Sequence, residues 1–318
     1  MQTDWFKRVF VGPGPLILLS AAVVGVALAV TLVHLAERQL LWELDRLGNE
    51  RLDLYASTVQ AAHKRFDYLP FIVSGDYQVK GLLRGENYRS QVNRKLQSWQ
   101  QEANAAELYL MDRQGVVLAS SNWRQPDSFV GNDYHFRPYF RDALAGGQGR
   151  FFAVGVTTGR PGLFLSRPVR DGDQVIGVAV VKIDMTQLEA DWAAGGEDVW
   201  VTDADGVIFL ASNPQWRYTS LEPLPRDTLA RLDAERKYST NPITALMIAA
   251  RSTSPQGKQI IQLAVDDAAP TQRYMLHSRS VVGLDWTLYY LTSLADLADQ
   301  QRNAVLIASL TAIMVALL

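Results

Sequence analysis

The chain has 318 residues, a length that favours two domains of ordinary size. Of these residues 48% are hydrophobic and 20% are charged, a balance that excludes a disordered or low-complexity chain. The 31 basic and 33 acidic side chains leave a formal charge of -2, which gives no basis for expecting a nucleic-acid partner. Because cysteine is absent, disulfides, thiolate zinc sites, iron–sulfur clusters and cysteine nucleophiles are excluded.

The first apolar stretch covers residues 11–35 and contains no Asp, Glu, Lys or Arg. A helix needs about 20 residues to cross the hydrocarbon core, so the stretch predicts a first transmembrane helix. Lys7 and Arg8 precede it, and the positive-inside rule then assigns residues 1–10 to the cytoplasm. A cleaved signal peptide is the alternative, because Ala27-Leu28-Ala29 has the small residues of a cleavage site. The apolar run continues into a helical pattern, which favours the membrane helix.

A second apolar stretch covers residues 304–318 and is shorter than the ~20 residues of a full span. We expect it to be the truncated start of a second transmembrane helix, with a cytoplasmic output module beyond Leu318. A C-terminal tail anchor is the alternative. With both stretches in a bacterial inner membrane, residues 36–303 would be periplasmic, and the absence of cysteine is compatible with that compartment.

Helical spacing dominates residues 36–104, which we interpret as a long stalk followed by a second helix. Apolar residues recur every three or four positions from Leu40 to Phe66, as on one face of a helix. The stalk is predicted to end near Pro70, because the residue before a proline disfavours the helical conformation. The second helix is predicted over Tyr88 to Asn104. Core packing is the expected role of both apolar faces, with a dimer seam as the alternative for the stalk.

Beyond Ala105 the hydrophobic period changes from that of a helix to that of a strand. Residues 107–121 contain two strand-like runs around the turn Asp112-Arg113-Gln114-Gly115, which predicts a hairpin. Three further strands are predicted from Arg150 to Ile183, with turns between them. Residues 105–190 are therefore predicted to form an antiparallel α+β unit.

The hairpin recurs 91 residues later in the chain. Residues 198–213 match residues 107–122, with Asp203 in the place of Asp112 and Gly206 in the place of Gly115. The repetition predicts two copies of one fold in tandem, the second over residues 191–300. Coincidence is the alternative, because Asp-x-x-Gly turns are common.

One segment of the first copy, Asn132 to Asp142, is dense in aromatic and charged side chains and has no counterpart in the second. Pro138 suits the first position of a short helix that runs to Leu144. Arg137 then lies at the start of that helix, where its guanidinium, free backbone N–H groups and the positive end of the helix dipole would converge. Because a guanidinium can bind a planar carboxylate in bidentate fashion, the segment predicts an anion site.

Lys182 is the second candidate cation. It continues an alternation of apolar residues over residues 176–180, so its stem belongs to an apolar face of the sheet. Aligning Gly177 with Gly283 places Leu288 of the second copy opposite it, which indicates that the fold accepts an apolar residue there. A lysine at a strand end that extends to water is the alternative.

Five hydroxyl side chains near these cations offer further donors, although packing alone would explain each of them taken singly. They are Tyr134, Tyr139, Thr157, Thr158 and Ser166.

The run from Ser121 to Met185 resembles the periplasmic sensor region of the C4-dicarboxylate sensor histidine kinases. The most specific parts are Tyr134-His135-Phe136-Arg137-Pro138-Tyr139-Phe140 and the strand that ends in Val180-Val181-Lys182. The resemblance extends over nearly the whole chain. It implies an α+β fold in which a long N-terminal helix precedes two tandem PAS-like domains of the double-Cache type, flanked by two transmembrane helices. Residues 105–190 would be the membrane-distal domain and residues 191–300 the membrane-proximal one.

The resemblance also implies the ligand and its site. Succinate, fumarate or malate would bind in the distal domain with one carboxylate near Arg137 and the other near Lys182. Tyr134, Tyr139, Thr157, Thr158 and Ser166 would line the pocket. Closure of the distal domain would pass through the proximal domain to the second membrane helix and change kinase output.

No catalytic or metal-binding constellation is recognisable in the sequence, so we expect this chain to catalyse nothing and to need no cofactor. The family's kinase domain, with its ATP and Mg²⁺, would follow Leu318. The expected partners are the dicarboxylate, a second copy of the chain, a response regulator reached through the kinase, and a dicarboxylate transporter. The same sensor on a chemoreceptor or a cyclic-dinucleotide enzyme is the first alternative. A membrane-anchored extracytoplasmic hydrolase is the second.

Overall fold

The computed structural model describes residues 14–254, 257–264, 271–295 and 306–307 of the chain. The helices are α1 (Gly14–Lys64), α2 (Leu69–Gly75), α3 (Tyr77–Leu83), α4 (Arg89–Ala103), α5 (Pro138–Leu144), α6 (Thr186–Ala194) and α7 (Arg226–Ala234). The strands are β1 (Glu107–Met111), β2 (Val117–Ser120), β3 (Gly149–Val154), β4 (Pro161–Asp171), β5 (Gln174–Asp184), β6 (Val199–Thr202), β7 (Ile208–Ala211), β8 (Thr219–Ser220), β9 (Thr244–Ala245), β10 (Ile248–Thr253), β11 (Gln259–Leu263), β12 (Gln272–Val281) and β13 (Trp286–Ser293).

The first sheet is antiparallel and has the strand order β2-β1-β5-β4-β3. Successive side chains of a strand point to opposite faces, and β5 divides accordingly. Ala179 and Val181 belong to a large apolar cluster that also contains side chains of α1 and α4. Val178 and Val180 belong to a second cluster, rich in Tyr and Phe and including side chains of α5. Lys182 follows the second alternation, so it shares a face with the aromatic cluster and α5.

The second sheet has the strand order β10-β11-β12-β13-β6-β7, and β8 and β9 form a separate parallel pair. The α+β class, the antiparallel sheets and the long N-terminal helix are those predicted from the sequence. Strands β1–β5 end at Asp184 and β6 begins at Val199, and the division into two domains at about residue 190 stays a prediction.

The two hairpins share the same backbone hydrogen bonds at positions 91 residues apart. The Oδ1 atoms of Asp112 and Asp203 each accept two N–H groups of their own turn, at 2.9 to 3.0 Å. The Oγ atoms of Ser121 and Ser212 each accept the N–H of the strand residue thirteen positions earlier. Both hairpins also have a register irregularity at the equivalent position. The predicted repetition of the hairpin is confirmed.

The strand register corrects the sequence alignment of Lys182. Val181 and Tyr290 lie opposite equivalent residues of the two hairpins, so the residues that follow them, Lys182 and Leu291, are equivalent. The alignment with Leu288 is therefore wrong by three residues. It matched a glycine inside β5 with a glycine at φ 85° in the turn before β13, although the two have different backbone roles. Leu291 is buried, so the second copy still has an apolar residue at this place.

The chain divides into two compact units. One consists of Met1–Arg51, Met247–His277 and Leu291–Leu318, and the other of Leu52–Leu246 and Ser278–Tyr290. In the first unit Leu41 packs in a small apolar cluster with Ile260 and Met275. The second unit contains the first sheet, α2 to α7 and both hairpins. All residues of the site described below belong to this second unit.

The stalk helix α1 ends at Lys64, earlier than predicted, and Pro70 lies in the first turn of α2, where its missing N–H has no helical partner to lose. Over the described residues, no helix combines the length and the apolarity of a membrane span. Residues 1–10 and all but two of residues 304–318 lie outside the described residues. The two transmembrane helices remain predictions.

Candidate functional site

Arg137 lies immediately before α5, which covers Pro138–Leu144 as the sequence predicts. Its extended backbone (φ -78°, ψ 133°) follows from the proline, because a residue before proline disfavours the helical conformation. The side chain is only 2% exposed and contacts the rings of Phe136 and Phe151. The sequence thus places a guanidinium in a largely aromatic and buried setting.

Backbone carbonyls bind the guanidinium of Arg137. Nη2 donates to the carbonyl of Val154 at 2.9 Å. Nη1 donates to the carbonyls of Glu235 and Arg236 at 3.2 and 3.0 Å. These bonds use three of the five N–H donors of a guanidinium, which leaves two for a ligand oxygen.

Lys182 is 3% exposed, near the end of β5. Its ammonium group donates to Thr158 Oγ1 at 3.1 Å and to the carbonyl of Arg160 at 3.0 Å. The Phe164 ring on the neighbouring strand has its centroid 5.7 Å from Nζ. The aliphatic part of the Lys182 side chain passes close to Gly162, where a Cβ atom would lie 2.8 Å from Lys182 Cε. Glycine at that position therefore leaves room for the buried stem.

The two cations meet at consecutive residues of one backbone segment. Arg137 binds the carbonyl of Val154, and a Cβ atom on Gly155 would lie 3.1 Å from Lys182 Nζ. In the described part of the chain, the hydrogen bonds of both cations go to neutral oxygens and to no carboxylate. A buried charge with no carboxylate in hydrogen-bond contact is costly, so the two cations together favour an anion.

Hydroxyl groups connect the loop after β3 to the aromatic cluster. Tyr134 OH and Thr157 Oγ1 are 2.6 Å apart, and Tyr109 OH and Tyr139 OH are 2.7 Å apart. The Tyr139 ring is stacked on that of Phe164, with centroids 5.1 Å apart. Since Phe164 also contacts Lys182, these aromatic rings extend from the arginine side of the site to the lysine side.

Two cavities adjoin these residues, and different residues of the loop Gly155–Arg160 line each of them. The smaller, of about 10 Å³, is lined by Tyr109, Tyr134, Arg137, Tyr139, Gly155 and Thr157, among others. That is room for about one water molecule. The larger, of about 720 Å³, is lined by Thr158, Arg160, Lys182 and the carboxylates of Glu107, Asp127 and Asp184, among others.

Burial changes the acid–base properties of the site. Desolvation disfavours the charged ammonium and lowers the pKa of Lys182 to about 8, although the Asp184 and Glu107 carboxylates oppose the shift. Desolvation also lowers the pKa of Arg137. It raises the pKa of both Tyr109 and Tyr139, so their hydroxyl groups stay protonated and can donate.

The predicted site residues do not all line the same cavity. Four of them line the small cavity together, namely Tyr134, Arg137, Tyr139 and Thr157. Thr158 and Lys182 line the larger cavity instead. Ser166 lines neither of these two cavities; its Oγ donates to the carbonyl of Tyr139 at 2.7 Å, which ties β4 to α5.

Sequence reasoning missed several residues of the site. Tyr109 and Phe164 alternate with core residues in strands, so nothing in the pattern separates them from ordinary core aromatics. The carbonyls of Glu235 and Arg236 have no sequence signature at all, because every residue has one. Gly155 and Gly162 are the signal that could have been used, since glycine in and beside strands indicates a close approach of other atoms.

Comparison with known proteins identifies the family. The Cache domain family matches residues 34–301. The C4-dicarboxylate transport sensor protein DctB of Rhizobium meliloti is 36% identical over 265 residues, which are 82% of this chain and 42% of that protein. The protein of the same name from Pseudomonas aeruginosa is 33% identical over 196 residues, or 61% of this chain and 32% of that protein. The chain therefore spans less than half the length of these relatives.

Solved structures agree with the sequence relatives. The sensor domain of the V. cholerae histidine kinase DctB has a TM-score of 0.70 at 29% identity, covering 79% of this chain and 98% of that one. The sensory domain of the Campylobacter jejuni chemoreceptor Tlp3 with isoleucine bound has a TM-score of 0.55 at 16% identity, covering 83% and 97%. The second likeness shows the fold alone. This chain belongs to the Cache domain family and contains a DctB-like sensor domain.

Proposed function

We propose that the first domain, residues 105–190, binds C4-dicarboxylates such as succinate, fumarate and malate. Arg137 would bind one carboxylate and Lys182 the other. The observation that carries the proposal is a pair of buried cations, Arg137 beside Val154 and Lys182 beside Gly155. Their hydrogen bonds go to neutral oxygens. A ligand with two negative charges complements two such cations, and charge-assisted hydrogen bonds are about twice as strong as neutral ones.

Binding requires a change in the loop Gly155–Arg160. The small cavity has room for about one water molecule, which is less than a dicarboxylate occupies. Three side-chain hydrogen bonds hold the loop in place, one between Tyr134 and Thr157 and two from Lys182, to Thr158 Oγ1 and to the carbonyl of Arg160. The two carboxylates of the ligand, one accepting from Tyr134 and Arg137 and the other from Lys182, replace these bonds. The loop then moves outward and the two cavities become one ligand site.

The remainder of the proposed function concerns the whole protein. The chain is the periplasmic sensor region of an inner-membrane histidine kinase that uses ATP and Mg²⁺ and controls dicarboxylate transport genes through a response regulator. The similarity to two DctB proteins over most of the chain supports this assignment. Homodimerisation and contact with a dicarboxylate transporter are part of the same proposal.

Calorimetric titration tests the ligand class. The full chain, purified in detergent micelles, is titrated with succinate, fumarate, malate and butyrate. Butyrate is the matched control, because it has four carbons and a single carboxylate. We expect the dicarboxylates to bind at least about ten-fold more tightly than butyrate, since one charge-assisted hydrogen bond contributes about 1.5–3 kcal/mol. Equal affinity for butyrate, or no binding of any dicarboxylate, contradicts the proposal.

A further inference from the structure

A short segment after α7, Glu235–Ser239, contains two residues in an unfavourable backbone conformation. Arg236 has φ 48° and Ser239 has φ 57°, although neither is glycine. In residues other than glycine, this left-handed conformation brings Cβ close to the following carbonyl oxygen and is disfavoured relative to the right-handed region. Strained residues persist only where surrounding contacts hold them, and this segment has such contacts with Arg137 and with Asp203.

One side of the segment binds the candidate ligand site. Arg137 Nη1 donates to the carbonyls of Glu235 and Arg236 at 3.2 and 3.0 Å. The N–H of Val154 donates to the carbonyl of Lys237 at 2.8 Å, while the carbonyl of Val154 accepts from Arg137. The segment therefore holds both the guanidinium and the strand end next to it.

The other side of the segment binds the turn of the second hairpin. Lys237 Nζ and Tyr238 OH both donate to Asp203 Oδ2 at 2.5 Å. Asp203 Oδ1 closes its own turn through the N–H groups of Asp205 and Val207. The Lys237 and Asp203 side chains are 10% and 4% exposed, so solvent screens this ion pair little.

The first hairpin provides an internal comparison. Asp112 closes an equivalent turn with the same two backbone hydrogen bonds. In the described part of the chain, its carboxylate has no lysine or tyrosine partner of the kind that Asp203 has. The ion pair is thus an addition to the turn of the second copy and is not needed to form it.

We propose that Asp203 and Lys237 are positioning residues for the ligand site, which they influence through the segment Glu235–Ser239. The ion pair fixes the segment, the segment's carbonyls orient the guanidinium of Arg137, and two guanidinium donors remain directed to a carboxylate. The turn of the second domain is thereby coupled to ligand binding in the first. This inference rests on the proposed function, because Arg137 must bind the ligand.

Coupling of this kind is reciprocal. If the ion pair strengthens ligand binding, the ligand must stabilise the segment and its ion pair by the same factor. The ligand should therefore slow amide hydrogen exchange over residues 235–239, although these residues do not line the small cavity. A purely structural role of Asp203 would stabilise the fold without linking the two.

The test compares Asp203→Asn with Asp112→Asn in the full chain. Asparagine keeps the Oδ1 acceptor of each turn but removes the charge that pairs with Lys237. Succinate affinity is measured by calorimetry, and amide exchange over residues 235–239 is measured with and without succinate. We expect Asp203→Asn to weaken succinate binding about five-fold or more, within the usual range of coupling factors. Asp112→Asn should bind as tightly as the unchanged chain.

A second variant distinguishes weakened binding from a simple loss of fold stability. Asp203→Asn leaves Lys237 buried and unpaired, whereas the double variant Asp203→Asn/Lys237→Met removes both charges and is expected to fold. The double variant should show the same weakened binding, and succinate should protect residues 235–239 less than in the unchanged chain.

The outcomes separate this inference from the proposed function. If the unchanged chain binds no dicarboxylate, both fail. If it binds succinate and the folded double variant binds equally tightly, with equal protection of residues 235–239, the positioning role is wrong and the proposed function stands.

Discussion

At the scale of single residues, the candidate site contains two cations that are both almost fully buried but have different surroundings. Arg137 sits among aromatic rings and donates to backbone carbonyls, whereas Lys182 crosses Gly162 and ends beside a threonine hydroxyl. A buried charge is tolerated only when its hydrogen-bonding groups are satisfied, and neutral oxygens do this incompletely. The remaining electrostatic cost is what an anionic ligand would relieve.

Replacement of Arg137 should weaken dicarboxylate binding. Arg137→Gln keeps some hydrogen bonding but removes the charge and the fork of donors, so we expect succinate affinity to fall at least about ten-fold. Arg113→Gln, an exposed position in the first hairpin turn, is the matched control. Calorimetric titration measures both. Equal affinities of the two variants would exclude Arg137 as a carboxylate ligand.

Replacement of Lys182 should separate binding from stability. Lys182→Leu imitates Leu291, the equivalent residue of the second copy, and removes a charge that is poorly solvated. We expect loss of succinate binding together with a free energy of unfolding that is unchanged or higher. Titration and denaturant unfolding provide the two values. A large loss of stability would show that the ammonium group is structural.

The lowered pKa of Lys182 predicts a pH dependence. Because the pKa is about 8 in the folded chain against 10.5 for an ordinary lysine, the unfolded chain binds more protons between these values. The free energy of unfolding should therefore rise with pH from about 8 to 10.5 through this residue, and Lys182→Leu should lack this contribution.

Ligand binding should show the opposite trend. Succinate requires the ammonium form, so its affinity should fall as pH rises above about 8, and binding at pH 8–9 should take up a proton. Calorimetry in buffers with different ionisation enthalpies measures that uptake. A constant affinity from pH 7 to 9.5 would exclude Lys182 from the site.

At the scale of elements, the two hairpins have the same turn conformation but different neighbours. Gly115 and Gly206 occupy the same turn position, with φ 93° and 79°. A Cβ atom on Gly115 would lie 2.7 Å from backbone atoms of His135, whereas one on Gly206 would meet nothing within 4 Å. The first hairpin therefore packs directly against the segment that contains Arg137, and the second has no such neighbour at this point.

Alanine substitution at Gly115 and at Gly206 separates the effect of the neighbouring residues on stability from the effect of the turn conformation. Both variants pay about 1 kcal/mol for the left-handed conformation. Only Gly115→Ala must also displace the backbone of His135, so we expect it to be the less stable by more than about 1 kcal/mol and to weaken succinate binding. Denaturant unfolding and titration compare them. Equal stabilities would mean that the contact with His135 is easily relieved.

Sequence patterns predicted elements better than they predicted alignments between elements. The bounds of α5 follow from Pro138 and the glycines after Leu144, and each hairpin follows from its Asp-x-x-Gly turn, because these signals are local. The alignment of Lys182 was wrong because a glycine in a strand and a glycine in a turn look alike in sequence. Strand register depends on pairing between distant segments, which no local signal reports.

At the scale of the whole molecule, ligand binding should appear as added stability of the folded chain. A ligand that binds only the folded state adds about 2.7 kcal/mol to the free energy of unfolding at one hundred times its Kd. We therefore expect succinate to raise the thermal midpoint of the unchanged chain. Butyrate at the same concentration should raise it far less, and succinate should raise the thermal midpoint of Arg137→Gln less than that of the unchanged chain. An equal response to both acids would indicate a nonspecific effect.

The sequence by itself determined the fold class, the tandem hairpins, the short helix behind Arg137 and the two cations, because periodicity and turn chemistry act over a few residues. Only the tertiary structure decided that Arg137 and Lys182 meet at Val154 and Gly155, that Ser166 lines neither cavity, and that Asp203 is linked to Arg137 through Glu235–Ser239. These relations join residues up to about a hundred positions apart, several of them through backbone atoms. Backbone atoms are the same in every residue, so their partners are set by how the chain packs.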